Sequence, residues 1–138
     1  MKFVLKGRTF GAGYVKGEAL VSHSPISFAG SVDPISSTVV EKGHELFGKK
    51  VRDKILVFPT GKGSTVGSWV ILRMSALKSA PIGIINVNTD EVILVGAIIA
   101  GIPLVDNLNR SPLETIRTGD FVEIDAQKGT VNVTRNET

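Results

Sequence analysis

The sequence predicts an α/β fold, a mixed sheet of sandwich or barrel-like form covered by helices, with residues 1–138 making one domain. Three features point there. Short apolar runs at 55–58, 82–87 and 102–106 are separated by stretches with helical periodicity, the pattern of strand–helix–strand units. Both ends of the chain alternate apolar and polar residues, as half-exposed strands do, which a plain doubly wound parallel sheet would not explain. Finally, 138 residues with 42% hydrophobic content suffice for a sizeable core without disulfides or a metal.

Residues 2–9 alternate loosely, Phe3 and Leu5 against Lys2, Lys6 and Arg8, and residues 17–21 do the same. Gly11 and Gly13 between them predict a hairpin-like pair. Residues 22–28 continue extended. Asp33 precedes Pro34 and is pushed out of the helical region, so 30–35 is a turn-rich crossing with the makings of a functional loop. A short strand is expected at 38–40. Residues 41–50, interrupted by Gly43 and Gly48, have turn chemistry, and 51–54 turn into the strand at 55–58.

From Ser64 onward Val66, Val70, Met74 and Leu77 recur at helical spacing, and Trp69, Leu72 and Ala76 widen the same face. The spacing predicts an amphipathic helix with Ser64 as N-cap or first-turn residue and an end at Ala80-Pro81. Residues 82–87 read as a buried central strand. Asp90 and Glu91 then place acids at the positive end of a second helix, 92–100 is apolar nearly all round, and Gly101 and Pro103 stop it, which predicts a short buried helix. A strand at 102–106 follows, then one helical turn opened by Pro112. Residues 119–125 and 130–134 alternate around a loop containing Gly129, the clearest hairpin in the chain.

Composition excludes several functions. Cysteine is absent and there are two histidines, so the chain offers neither a disulfide, nor a thiolate metal centre, nor a convincing zinc site. Any metal must be borne largely by another chain. A net charge of +3 and a pI near 9.3, without a Lys/Arg cluster, argue against nucleic acid and suit a small anionic ligand or an acidic partner surface. Charges break up the apolar residues of the N-terminus, and the longest apolar run is too short to span a bilayer. The expectation is a soluble, cytoplasmic protein without a membrane partner.

Chemistry concentrates between Ile55 and Trp69, where an apolar strand meets a proline, a glycine-rich turn and a helix start. Unpaired N–H groups and the positive end of the helix dipole suit an anion there. The spacing fails the P-loop pattern, because Lys62 precedes Gly63 instead of following the last loop glycine, and this removes the obvious nucleotide reading. Gly61, Gly63 and Gly67 also fit a plain tight turn with close helix packing, yet Lys62, Ser64, Thr65 and Ser68 offer more polar capacity than a cap needs. A serine here would act as a base only if its alkoxide were stabilised by those N–H groups, by Lys62 or by another cation. His23 and His44 read as turn or surface residues without a fixed partner. Asp106 and Asn107, at a strand end, and Asp33 are open between cleft-lining and turn-forming roles.

The run Pro59-Thr-Gly-Lys-Gly-Ser-Thr-Val-Gly-Ser68, the 82–86 strand, the segment from Thr89 to Pro103 and the closing hairpin resemble the swivel-domain subunit of the aconitase X family. The early glycines 11, 13 and 17 and the stretch 27–34 fit as well, so the similarity covers nearly the whole chain. The resemblance implies a swivelling β/β/α domain that docks on a large dehydratase subunit, whose own cysteines carry an iron–sulfur cluster of the 4Fe–4S type. This chain would bind none. The implied reaction is dehydration of (R)-5-phosphomevalonate to trans-anhydromevalonate 5-phosphate in an archaeal mevalonate route to isoprenoids. By its place after Gly61-Lys62-Gly63, the family's base serine corresponds to Ser64, with Ser68 in reserve. Gly61, Lys62, Gly63, Thr65 and Ser68 would then hold the small phosphorylated anion. Two alternatives remain at this level: a family dehydratase for another hydroxy acid such as a hydroxyproline, and a non-catalytic module that binds a phosphorylated ligand.

Overall fold

The computed structural model describes residues 1–136. In chain order the elements are β1 (Lys2–Lys6), β2 (Arg8–Phe10), β3 (Tyr14–Val21), β4 (Ile55–Phe58), α1 (Val66–Ala76), β5 (Gly83–Asn86), α2 (Glu91–Ala100), β6 (Leu104–Asp106), α3 (Pro112–Thr115), β7 (Phe121–Asp125) and β8 (Thr130–Thr134). The sheet runs β1-β8-β7-β3-β4-β5-β6-β2, parallel from β3 to β6 and antiparallel elsewhere. Only Gly7 separates β1 from β2, so one bent strand supplies both edges and the sheet closes on itself. Closure removes the exposed edges an open sheet would carry. Gly7 has to be small at this bend, since a Cβ would stand 2.6 Å from the Asp106 carbonyl oxygen.

The strand β4 explains itself from its sequence. Ile55, Leu56, Val57 and Phe58 are all fully buried, because alternate residues serve different cores. Ile55 and Val57 point into the closed sheet with Leu5, Ile85, Val105, Ile124 and Val131. Leu56 and Phe58 face the covering layer with Ile71, Met74, Ile93 and Ala97. Each such side chain contributes about 1.5–3 kcal/mol by leaving water. A continuously apolar strand is therefore what a sheet covered on both faces demands.

Several expectations change here. The first two alternating runs do not form a hairpin: β1 pairs with β8, β2 with β6, and β3 with β7 and β4. Alternation marks a strand but cannot choose its partner. Residues 38–40 make only isolated bridges, Val39 with Val32 and Thr38 with Lys50. The face of α1 is also rotated from the expected one. Gly67, Ser68, Ile71 and Met74 are buried, whereas Val66 and Trp69 are 54% and 66% exposed. The two helices meet through small residues, which large apolar periodicity does not detect: a Cβ on Gly96 would lie 2.7 Å from Ile71 Cδ1, and one on Gly67 3.0 Å from Val92 Cγ1. For the same reason α2 is not buried all round, since Val95, Ile98 and Ile99 face outward. No helix among the described residues is long and apolar enough to cross a membrane.

Candidate functional site

The four parallel strands β3 to β6 end on the same side, and the loops leaving their carboxyl ends gather there. The glycine-rich loop after β4 lies among them, held from two directions. On one side Pro59 O accepts from the N–H groups of Val87 (3.0 Å) and Asn88 (3.1 Å), in the turn between β5 and α2. On the other, Ile26 N donates to Thr60 O (3.2 Å) and Lys62 N donates to Ile26 O (3.1 Å), so the long excursion between β3 and β4 forms a bed for the loop.

The glycines of the loop are required by contact and conformation. Gly61 packs against Asp90 and Ile93 at the start of α2 so closely that a Cβ would overlap both side chains. Gly63 has φ +90, and a Cβ there would stand 2.5 Å from Ser27 Oγ, a hydroxyl that donates to Ala29 O (3.1 Å). The loop is thus shaped by its neighbours as much as by its own turn chemistry.

Ser64 is exposed, and its Oγ accepts from the Val66 N–H at 3.2 Å. It stands one residue before the N-cap, which is Thr65, a residue with helical backbone angles and no side-chain capping bond. Ser64 nevertheless satisfies one of the free N–H groups of the first turn. Lys62 is held outward: its Nζ lies 3.2 Å from Glu41 Oε2, and Ser31 Oγ donates to Glu41 Oε1 at 2.9 Å. The Ser31 hydroxyl and the Lys62 ammonium together hold the Glu41 carboxyl below the usual carboxylate range. Lys62 keeps N–H capacity beyond this one pairing. Ser68 is set apart from this group, 7% exposed, with its hydroxyl donated to Val92 O at 2.6 Å between the helices.

The other flagged residues have structural partners. His44 is buried; the Leu46 N–H donates to its Nδ1 (3.0 Å), which leaves Nε2 to donate to Pro25 O (3.0 Å) beside the bed of the loop. It is not a surface histidine, as the turn-rich sequence around it suggests. His23 is exposed and meets Glu45 and the Leu113 carbonyl. Asp106 is fully buried and takes two bonds at 2.9 Å from Arg8 and one at 3.1 Å from Thr89 N. Burial pushes its carboxyl up, but the Arg8 guanidinium and the Thr89 N–H outweigh this and leave it below the usual range. Asp33 accepts from Ile35 N and Ser36 Oγ within its own turn.

Sequence reasoning missed Glu41, Ser31 and Ser27 as neighbours of the loop. No local pattern announces them, because each reaches the loop through a chain excursion and not through spacing along one element. Among the described residues no three His, Cys, Asp or Glu side chains could hold a metal ion together.

The family model for the aconitase X swivel domain matches residues 4–133. Phosphomevalonate dehydratase small subunits from Methanosarcina acetivorans and Methanocella arvoryzae are 50% and 48% identical over 129 residues, 94% of this chain in both cases and 90% and 98% of the relatives. The holo-form aconitase X crystal structure from Thermococcus kodakaraensis superposes with a TM-score of 0.90 at 40% identity, covering 96% of this chain and 98% of the matched one. A closed mixed sheet with α1 and α2 on one face, the loop at the strand ends and this similarity along almost the full length agree, and the chain belongs to the aconitase X swivel domain family.

Proposed function

We propose that this chain is the small, Ser64-bearing subunit of a hydro-lyase that converts (R)-5-phosphomevalonate to trans-anhydromevalonate 5-phosphate and works only with a larger subunit. The observation that carries the reading is the placement of Ser64, an exposed hydroxyl that already accepts the Val66 N–H at a helix start. In the reaction Ser64 Oγ takes the proton from the carbon next to the substrate carboxylate, the electron pair of that C–H bond forms the double bond, and the hydroxyl on the adjoining carbon leaves and, with a proton, is released as water. The Val66 N–H and the positive end of α1 favour the oxyanion form that this requires. The spare donors of Lys62 and the loop N–H groups around Gly61, Gly63 and Thr65 bind the anionic groups of the substrate. Ser68 contributes by keeping α1 against α2, since its hydroxyl is committed there.

The donor set of this chain does not fit an iron–sulfur cluster: it has no cysteine and no grouping of three ligating side chains among the described residues. We therefore assign the cluster to the larger subunit. A partner is supported by Val66 and Trp69 of α1 and Val95 and Ile99 of α2, large apolar side chains left open to water beside the loop. A cytoplasmic location and action as one swivelling unit belong to the same proposal.

The test is the Ser64→Ala variant in the complex reconstituted with the larger subunit. Turnover of phosphomevalonate is expected to fall by about 10²–10⁴-fold while the two chains still copurify. A variant with wild-type turnover would overturn the role of Ser64, and a wild-type complex that leaves phosphomevalonate unchanged but dehydrates another hydroxy acid would overturn the substrate.

A further inference from the structure

Asn86 is an oddity of the fold. It ends the apolar run of β5 and is fully buried, and its Oδ1 has no hydrogen-bond partner among the described residues. Its Nδ2 donates to Phe58 O at 3.0 Å, with a longer contact to Ile85 O at 3.4 Å. Buried polar groups in native proteins are nearly always satisfied, so an amide whose oxygen is left over is an unusual choice, offset only by the bond that its Nδ2 makes to Phe58 O. An apolar side chain would fill the same space but leave the Phe58 carbonyl without this donor, so packing alone gives the position no reason to be polar.

Position does. Phe58 is the last residue of β4 and stands opposite Asn86 in the register. The glycine-rich loop begins with the next residue. The N–H groups of Val87 and Asn88, which follow Asn86, both donate to Pro59 O. Three consecutive residues thus hold the two carbonyls from which the loop departs, and the side chain of Asn86 supplies the first of these bonds. The residues that follow Pro59 are tied to the bed of the loop by the Thr60 and Lys62 bonds to Ile26, the second of them two residues before Ser64.

We propose that Asn86 is the positioning residue of the glycine-rich loop: its buried amide fixes the Phe58 carbonyl and with it the direction in which the loop carries Ser64 out of the sheet. Only the consequence for turnover rests on the function proposed above; the effect on the loop belongs to this chain alone.

The experiment compares wild type, Asn86→Leu and Asn86→Asp as full chains by amide hydrogen exchange and thermal melting, then by kinetics in the reconstituted complex. Leu keeps the approximate shape and removes the donor. In Asn86→Leu the amides of Ile26 and Lys62, which bridge bed and loop, are expected to exchange faster by at least about tenfold beyond any change in those of β7 and β8, and the melting temperature to fall by the several degrees that one orphaned carbonyl costs. A buried Asp stays neutral and can donate its O–H to Phe58 O, so Asn86→Asp is expected to restore slow exchange at both amides. In the complex, Asn86→Leu is expected to lower kcat by about tenfold with KM changed less than about threefold, as for a misaimed base and an intact anion seat. Unchanged exchange at Ile26 and Lys62 in the Leu variant would overturn the proposal, as would loss of protection spread evenly over β7 and β8. Should the Leu variant not fold, fast exchange at the two amides in a folded Asp variant overturns it and slow exchange supports it. Faster loop exchange without any change in kcat would leave Asn86 as the loop's anchor and overturn its bearing on Ser64.

Discussion

Gly63 shows how much of the loop is decided one residue at a time. Its φ of +90 excludes ordinary side chains, and the space where a Cβ would go belongs to Ser27. Gly63→Ala is expected to destabilise the chain by about 1–3 kcal/mol, read from urea unfolding, and to cost turnover through the displaced Ser64. Gly101 also has positive φ (+71), but nothing lies within 4 Å of its Cβ position, so Gly101→Ala is expected to show the smaller loss of the two. Equal losses would mean that Ser27 yields freely. At this scale the sequence shows the make-up of the loop: Gly61, Lys62, Gly63, Ser64 and Thr65 are consecutive in it. What was not legible is whom they touch. Glu41 lies far from Lys62 along the chain, and no pattern in a single sequence marks an ion pair made by two loops.

The two helices separate what patterning can say from what packing adds. The bounds of α2 followed from Asp90, Gly101 and Pro103, and the structure agrees: Asp90 accepts from Ile93 N at 3.3 Å, and Gly101 is left-handed at the C-cap. Asp90→Ala is expected to cost about 1 kcal/mol in urea unfolding, the usual worth of an N-cap. No change would mean that the packing of Gly61 alone holds this end. For α1 the start was legible to within two residues, but the expected end at Ala80-Pro81 lies four residues past Ala76, and its buried face was not legible. Hydrophobic periodicity selects the largest apolar residues, whereas close approach of two helices selects the smallest, here Gly67, Ser68 and Gly96. The misplaced face is informative in its own right, because Val66 and Trp69 are among the large apolar residues that the fold left uncovered.

At the scale of the molecule, two buried carboxylates clasp segments distant in sequence. Asp106 joins β6 to β2 through Arg8, and Asp120, just before β7, takes bonds of 2.9 and 2.7 Å from Arg135, beyond the end of β8. Burial raises the Asp120 carboxyl, yet the Arg135 guanidinium outweighs it, so Asp120, like Asp106, titrates below its usual range. Both groups bind a proton more readily unfolded than folded. Their stabilisation is therefore fully present above the ordinary carboxylate value of about 4 and is lost as pH falls through the lower folded values. Urea midpoints measured downward from pH 7 are expected to hold until about pH 4 and then drop. Asp120→Ala, which leaves the largely buried Arg135 without its carboxylate, is expected to cost about 3–5 kcal/mol and to flatten the acid end of that profile. A mutant profile parallel to wild type would place the acid sensitivity elsewhere. By itself the sequence determined the class of fold, the central strand–helix–strand run, the closing hairpin and the stretch that carries Ser64, because these depend on periodicity, caps and turn residues within short windows. Only the tertiary structure decided which strands pair, which helix face is buried, and that Glu41, Ser27 and Asn86 surround the loop, because those choices depend on contacts between residues far apart in the chain, whose free energy appears only when the whole sheet closes.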